Sequence, residues 1–241
     1  MRIYGKNPVL ERLKSNPKSI KKIFVEEGNP EADYIRSKSR KWGIPFHSIP
    51  REKMVHMVRN LNAQGVLMEV EEFAYVSFPE LLDQACAEGQ SLLFLDSLVD
   101  PQNLGGIIRS AACLGDFAIV LSTHDSAGVT ETVLRVASGG ENHVTVARVS
   151  NLGNAISDAK KAGYWIAGAV VDKGQNLYET EFSFPLGLVV GSEQKGIRDI
   201  LRKQLDAVVS IPMAQERLSM NVAHAVTAFC YEITKQKKQK S

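Results

Sequence analysis

Ser91-Leu92-Leu93-Phe94-Leu95-Asp96 is the stretch that decides the fold of this 241-residue chain. Four large apolar residues in a row, with neither a two-residue nor a 3.6-residue period, read as a strand buried on both faces. The chain beyond it repeats the theme. A helical pattern covers about residues 104–114, and Phe117–Ser122 and Val144–Val149 read as further strands. Tyr164–Val171, Gly187–Val190 and Ala207–Ile211 complete the set, with helices between most of them. Short apolar strands alternating with helices predict an α/β domain whose parallel sheet is covered on both faces. Ligands of such sheets sit beyond the carboxyl ends of the strands, so the loops that leave the strands are where chemistry is sought.

Three of these loops carry polar residues of unusual kind. In Asp100-Pro101-Gln102-Asn103-Leu104-Gly105-Gly106-Ile107-Ile108-Arg109-Ser110, Asn103 is placed as the cap of the following helix. Arg109 stands among Ile107, Ile108, Ala111 and Ala112, where a guanidinium that stays charged needs an anionic partner. A structural salt bridge and a ligand contact both meet that need. In Val189-Val190-Gly191-Ser192-Glu193-Gln194-Lys195-Gly196-Ile197 the glycine spacing imitates a Walker phosphate loop, but Ile197 and Arg198 stand where Lys is followed by Ser or Thr in that motif. A nucleoside-triphosphate site is thereby disfavoured, and Glu193 is open to three readings: an amine acceptor, an orienter of Arg, or a first-turn helix acid. In Ile211-Pro212-Met213-Ala214-Gln215-Glu216-Arg217-Leu218-Ser219-Met220-Asn221-Val222-Ala223 a strand ends and a helix begins near Ser219 or Met220, with Ser219 as a good N-cap. Val222, Val226, Phe229 and Ile233 then recur at near four-residue spacing beside Ala223, Ala225 and Ala228. A helix apolar nearly all round is either core or subunit interface.

Composition narrows the class. A hydrophobic content of 44% excludes whole-chain disorder. There is no run of about 18 uncharged apolar residues to span a membrane, and the first residues lack the apolar stretch of a signal peptide. Cys86, Cys113 and Cys230 are odd in number and widely spaced, which predicts packed, reduced thiols and a cytoplasmic protein. The five histidines (His47, His56, His124, His143, His224) show no HxxxH or HExxH spacing, so no metal site is expected. GxSxG and GxGxxG are both absent, which argues against a serine hydrolase and a dinucleotide enzyme.

The net charge of +2 hides an asymmetry. Residues 1–59 hold 14 Lys/Arg against 6 Asp/Glu, residues 60–234 hold 11 against 21, and the tail Lys235–Ser241 adds four lysines. Clustered basic residues attract phosphate polyanions, although Lys21, Lys22, Lys38, Arg40 and Lys41 could equally solvate a surface. The first segment, with strand-like Ile23-Phe24-Val25 and Gly65–Val70, is a candidate small α/β domain at residues 1–75 that binds nucleic acid, and the resemblance given below implies RNA as its ligand. The pattern weakens from Phe73 to Glu80, which places a linker at 76–88 and the larger domain at 89–241.

Taken together the three loops closely resemble the three motifs of the SpoU-type RNA ribose 2′-O-methyltransferases: NLGGIIR at 103–109, VVGSEQKGI at 189–197 and IPMAQERLSMNVA at 211–223. ASGGE at 137–141 resembles the family's small-residue segment. YGKNPVLERL at 4–13 with AQGV at 63–66 resembles the substrate-binding domain of the branch acting on guanosine in large-subunit (23S) ribosomal RNA. The resemblance implies a Rossmann-like sheet with a C-terminal trefoil knot, a homodimer formed through the last helix, and S-adenosyl-L-methionine as cofactor. It assigns catalysis to Asn103, Arg109, Glu193, Ser219 and Asn221, and cofactor binding to Ala169, Gly191, Ile211 and Met220. In the family's mechanism Arg109 is the base; stabilisation of a developing alkoxide is an equally open role for a guanidinium. Met220 stands where the family usually has Leu, and Asn62-Ala63 precede Gln64 where it often has His. A tRNA-acting relative and a non-catalytic RNA-binding protein are the competing readings.

Overall fold

In the computed structural model, which describes residues 1–58, 63–192, 194–215 and 218–240, the chain forms two sheets. The first unit holds β1 (Arg2–Tyr4), α1 (Lys6–Ser15), β2 (Ile20–Glu26), α2 (Ala32–Trp42), β3 (Phe46–Ile49), α3 (Arg51–Val58) and β4 (Val66–Val70). Its strand order is β1-β4-β2-β3, antiparallel except for the β2–β3 pair. Ile23, Val25, Val66 and Met68 are fully buried, so the strand-like runs read from sequence are this sheet's core.

The second unit follows as α4 (Phe78–Glu88), β5 (Ser91–Leu95), α5 (Pro101–Leu114), β6 (Phe117–Ser122), α6 (Glu131–Ala137), β7 (Val146–Val149) and α7 (Leu152–Lys161). It continues with β8 (Trp165–Val170), β9 (Gln175–Asn176), β10 (Leu186–Val190), α8 (Asp199–Arg202), β11 (Ala207–Ser210) and α9 (Val222–Lys240). The strands pair in parallel in the order β7-β6-β5-β10-β8-β11-β9. Alternate residues of β5 serve opposite faces, as strand geometry requires. Leu93 and Leu95 pack with Ile107, Leu134 and Phe229; Leu92 and Phe94 pack with Leu81, Ile156 and Leu201. The α/β expectation and the double coverage of the sheet hold. Strand order reverses between β5 and β10, and there the carboxyl ends of two strands open a crevice.

Local chemistry corrects three readings. The segment 76–88, expected to be a linker, is largely α4. Ser77 and Glu80 form a reciprocal capping box, with Ser77 N–H donating to Glu80 Oε2 at 3.0 Å, and Leu81 and Ala85 are buried under the sheet. Helix α5 starts at Pro101 because Asp100 Oδ1 accepts from Gln102 N–H at 2.8 Å, so Asp100 and not Asn103 is its cap. Cys230 is buried, which raises its thiol pKa to about 12, whereas Cys86 and Cys113 are exposed rather than packed.

The two units share one continuous apolar cluster, in which Ile3, Val9 and Leu13 meet Leu134 and Ala137. A buried ion pair crosses it: Arg12 Nη2 lies 2.9 Å from Glu141 Oε1, and both residues are nearly inaccessible. Glu141 Oε2 also accepts from Gly139 N–H at 3.0 Å. Burial lowers the Arg12 pKa from its ordinary value, and the Glu141 carboxylate opposes that shift. Further polar ties are Arg2 N–H to Glu131 Oε1 at 2.6 Å and Arg135 Nη1 to Tyr4 Oη at 2.7 Å.

Removing one member of a buried pair strands the other. Glu141→Ala should therefore lower unfolding free energy by about 3–5 kcal/mol in urea titration. The double change Arg12→Met with Glu141→Leu should recover most of that loss. Equal destabilisation by the single and the double variants would show that the pair's geometry, not the orphaned charge, sets the cost.

Candidate active site

The crevice at the strand-order reversal is built by two tight loops. After β10, Gly191 lies so close to the returning chain that a Cβ there would sit 2.1 Å from the Gly196 carbonyl carbon. Only glycine permits that approach. Ser192 and Gly196 exchange backbone hydrogen bonds of 3.2 and 2.9 Å, and Lys195 N–H donates to Ser192 Oγ at 3.1 Å. The loop closes on itself through these bonds before α8 begins at Asp199. Glu193 lies outside the described residues.

What pins this loop is a residue that sequence reasoning passed over. Asp96, fully buried at the end of β5, accepts from Arg198 Nε at 3.0 Å and Arg198 N–H at 3.3 Å, and its Oδ1 lies 2.7 Å from Arg198 Nη2. The signal was available: a carboxylate ending an all-apolar strand must be paired, and Arg198 follows the glycine loop.

The other two loops are joined by a pair of amides. Asn221 Nδ2 donates to Asn103 Oδ1 at 2.9 Å, while Asn221 Oδ1 accepts from Ala223 N–H at 2.9 Å. Asn221 thus caps α9, and the expectation that Ser219 does so is corrected; Ser219 is exposed in the loop before it. Arg109 is corrected as well. Ile107, Ile108 and Ala111 face inward, and the helical turn carries Arg109 out to solvent. It makes no ion pair among the described residues, so the anionic partner demanded by an apolar setting is not needed.

Two cavities meet here. One, of about 550 Å³, has Ala169, Gly191, Ile211 and Met220 on its wall together with Ser219 and Asn221. Val190, Val222 and Phe229 make its apolar floor, and Asp172 and Lys195 are among its polar groups. The second, of about 440 Å³, is lined by Asn103, Gly106, Arg109, Asn221 and His224. Asn221 is common to both. The structure therefore brings all the expected site residues that it describes to one end of the sheet, in two adjoining hollows. Among the described residues no group of His, Cys, Asp or Glu is arranged to hold a metal ion, and no helix is long and apolar enough to cross a membrane. The face of Val222, Val226 and Phe229, one option for which was a subunit interface, is buried within this chain against α5.

Comparison with known proteins gives the chain its family. Residues 90–231 match the SpoU rRNA Methylase family, and residues 2–76 match the family described as RNA 2'-O ribose methyltransferase substrate binding. The chain is 32% identical over 239 residues to a Bacillus subtilis protein named as a TrmH family tRNA/rRNA methyltransferase, YacO, covering 98% of this chain and 95% of that one. It is 29% identical to the 23S rRNA (guanosine-2'-O-)-methyltransferase RlmB of Pseudomonas putida, covering 99% and 98%. The SpoU methyltransferase AviRb of Streptomyces viridochromogenes, solved in complex with the cofactor AdoMet, superposes with a TM-score of 0.81 at 23% identity, covering 99% of this chain and 91% of that one.

Loss of the Asp96 carboxylate should free the glycine loop. In Asp96→Ala, amide hydrogen exchange at Ser192 and Gly196 should accelerate by at least about tenfold, the loss of one charge-assisted bond. Exchange in β6 and β7 should stay slow. Unchanged protection at Ser192 and Gly196 would show that the backbone bonds alone close the loop.

Proposed function

The chain belongs to the SpoU rRNA methylase family, and on that basis we propose that it methylates the 2′-hydroxyl of a guanosine ribose in 23S ribosomal RNA. The observation that carries this reading is the meeting of two cavities at Asn221, one apolar and enclosed by loops, the other bordered by a solvent-facing arginine.

The larger cavity fits S-adenosyl-L-methionine. Its 550 Å³ lies in the range of small-molecule sites, apolar walls with a few polar groups suit a nucleoside, and the ends of β8, β10 and β11 offer backbone donors and acceptors. Ala169, Gly191, Ile211 and Met220 would hold the cofactor there. When bound, S-adenosylmethionine supplies an electrophilic methyl group on a sulfonium sulfur.

The second cavity then receives the ribose. Arg109 grips the adjoining phosphate and stabilises negative charge developing on the attacking oxygen, while the hydroxyl proton leaves to water. Every polar atom of a guanidinium is a hydrogen-bond donor, which favours this role over that of base. The Asn103–Asn221 bond fixes the beginning of α5 against that of α9, so the ribose pocket and the cofactor wall keep one spacing. Ser219 borders the cofactor side. Glu193 is carried from the family motif as the acid that orients the arginine. The insertion of β10 between β5 and β8 after β8 has been laid down supports a trefoil knot. Exposed thiols at Cys86 and Cys113 suit the cytoplasm.

A deletion strain's ribosomal and transfer RNA, mapped for ribose methylation, tests the substrate. Loss of one methyl from a 23S guanosine is expected, and loss from a tRNA instead would make the tRNA reading correct. Arg109→Ala should cut methyl transfer by about a hundredfold or more, with S-adenosylmethionine affinity by calorimetry unaltered. Arg109→Lys should lose most activity too, because lysine lacks the planar fork of donors.

The proposal includes a homodimer. Leu218, Met220 and Tyr231 are exposed apolar or aromatic side chains on α9 and the loop before it, a surface suited to a second copy. Sedimentation equilibrium at micromolar concentration should give a dimer, and Tyr231→Glu should shift it toward monomer.

A further inference from the structure

Where the first unit docks on the second, a third hollow of about 480 Å³ opens between the first unit and helices α5 and α6. Tyr4, Asn7 and Gln64 line it from one side, and Gln102, Arg109 and Arg135 from the other. It shares Gln102 and Arg109 with the ribose cavity, so the two form one surface. Among the described residues its only charged wall residues are the two arginines. Arg135, in the last turn of α6, donates from Nη1 to Tyr4 Oη at 2.7 Å and lies 5.6 Å from the centre of the Tyr4 ring. The rest of its donor fork has no hydrogen-bond partner among the described residues. Gln64, at φ 53°, is fixed through Oε1, which accepts from Lys6 N–H at 2.8 Å, and its amide donors are likewise unused. The hollow is therefore positive, free of carboxylates on its described wall, and set with donors held in place before any ligand arrives.

We propose that this hollow holds the nucleotide adjoining the methylated ribose, with Arg135 as the positioning residue for its phosphodiester and Gln64 as a further donor to it. The proposal rests on the methyltransferase reading above. An RNA strand carries a phosphate at every step, so a chain bound at Arg109 must place its next phosphate within the neighbouring surface. Among the described residues Arg135 is the further cation which that surface presents. The docking contacts of the first unit then have a direct purpose: they build half of the substrate site.

The test uses the full-length enzyme and an unmethylated 23S rRNA transcript. Arg135→Gln should raise KM for RNA about tenfold, the loss of one charge-assisted contact, with kcat within about twofold. The slope of log KM against log salt should flatten by about 0.7 to 0.9, the share of one phosphate. Melting temperature and S-adenosylmethionine affinity should match the wild type. Asn7→Trp, which fills the hollow from α1 and leaves both arginines in place, should also raise KM. Wild-type KM and salt slope in Arg135→Gln overturn the proposal, as does a variant whose only defect is a lower melting temperature, the mark of a clamp between the units. If the wild type methylates no RNA, the methyltransferase reading fails and this proposal with it; an active wild type beside an unaffected Arg135→Gln disposes of the hollow alone.

Discussion

Asp96 ends β5 in full burial and collects three donors from Arg198, a residue 102 positions later in the chain. A carboxylate so placed must be paired, since an isolated charge in such a setting costs far more than a domain's whole stability. Satisfying it draws the loop after β10 over the end of β5. That closure brings Gly191 to the wall of the larger cavity and leaves α8 to begin immediately after Arg198. The crevice of an open parallel sheet is a generic feature; the ion pair turns it into a walled site. The site's precision thus begins with electrostatic necessity at a position that makes no claim on the substrate.

The same logic explains which parts of the molecule were legible in the sequence. Buried parallel strands announce themselves, because a strand covered on both faces has no polar side to obscure it, and β5, β6 and β10 fall within a residue of where their apolar runs place them. Helix ends were less legible. Asn103 and Ser219 are good caps by residue type, but Asp100 before Pro101 and Asn221 before Val222 take those positions. Asn103 is instead bonded to Asn221, 118 residues away, and no local rule points to that pairing. Composition without helical phase does not show which way Arg109 faces. Its apolar neighbours are real, but Ile107 and Ala111 lie on the opposite side of the helix. The segment 76–88 reads as a linker for want of a long apolar run, although Ser77 and Glu80 spell a capping box. Within the site, the motif resemblance supplied the residues and the fold supplied their grouping into two hollows.

The charge asymmetry gains a physical setting. The basic first unit does not hang from a tether. Its α1 and β1 share an apolar cluster with α6 of the larger unit, and the polar ties at Arg2, Tyr4 and Arg12 fix its orientation. Cations on a fixed body contribute a field of fixed direction, which steers a polyanion toward the crevice more effectively than the same charges on a mobile arm.

The Arg12–Glu141 pair has a consequence for the newborn chain. The two partners are 129 residues apart. At cellular synthesis rates the carboxylate emerges from the ribosome on the order of ten seconds after the guanidinium. Throughout that interval Arg12 must stay hydrated, because nothing yet exists to neutralise it in an apolar environment. The surface of α1 that will become interior therefore carries its own solubilising charge while it waits. Premature association with other unfinished chains is opposed, and the charge is withdrawn from water only when its own second half arrives.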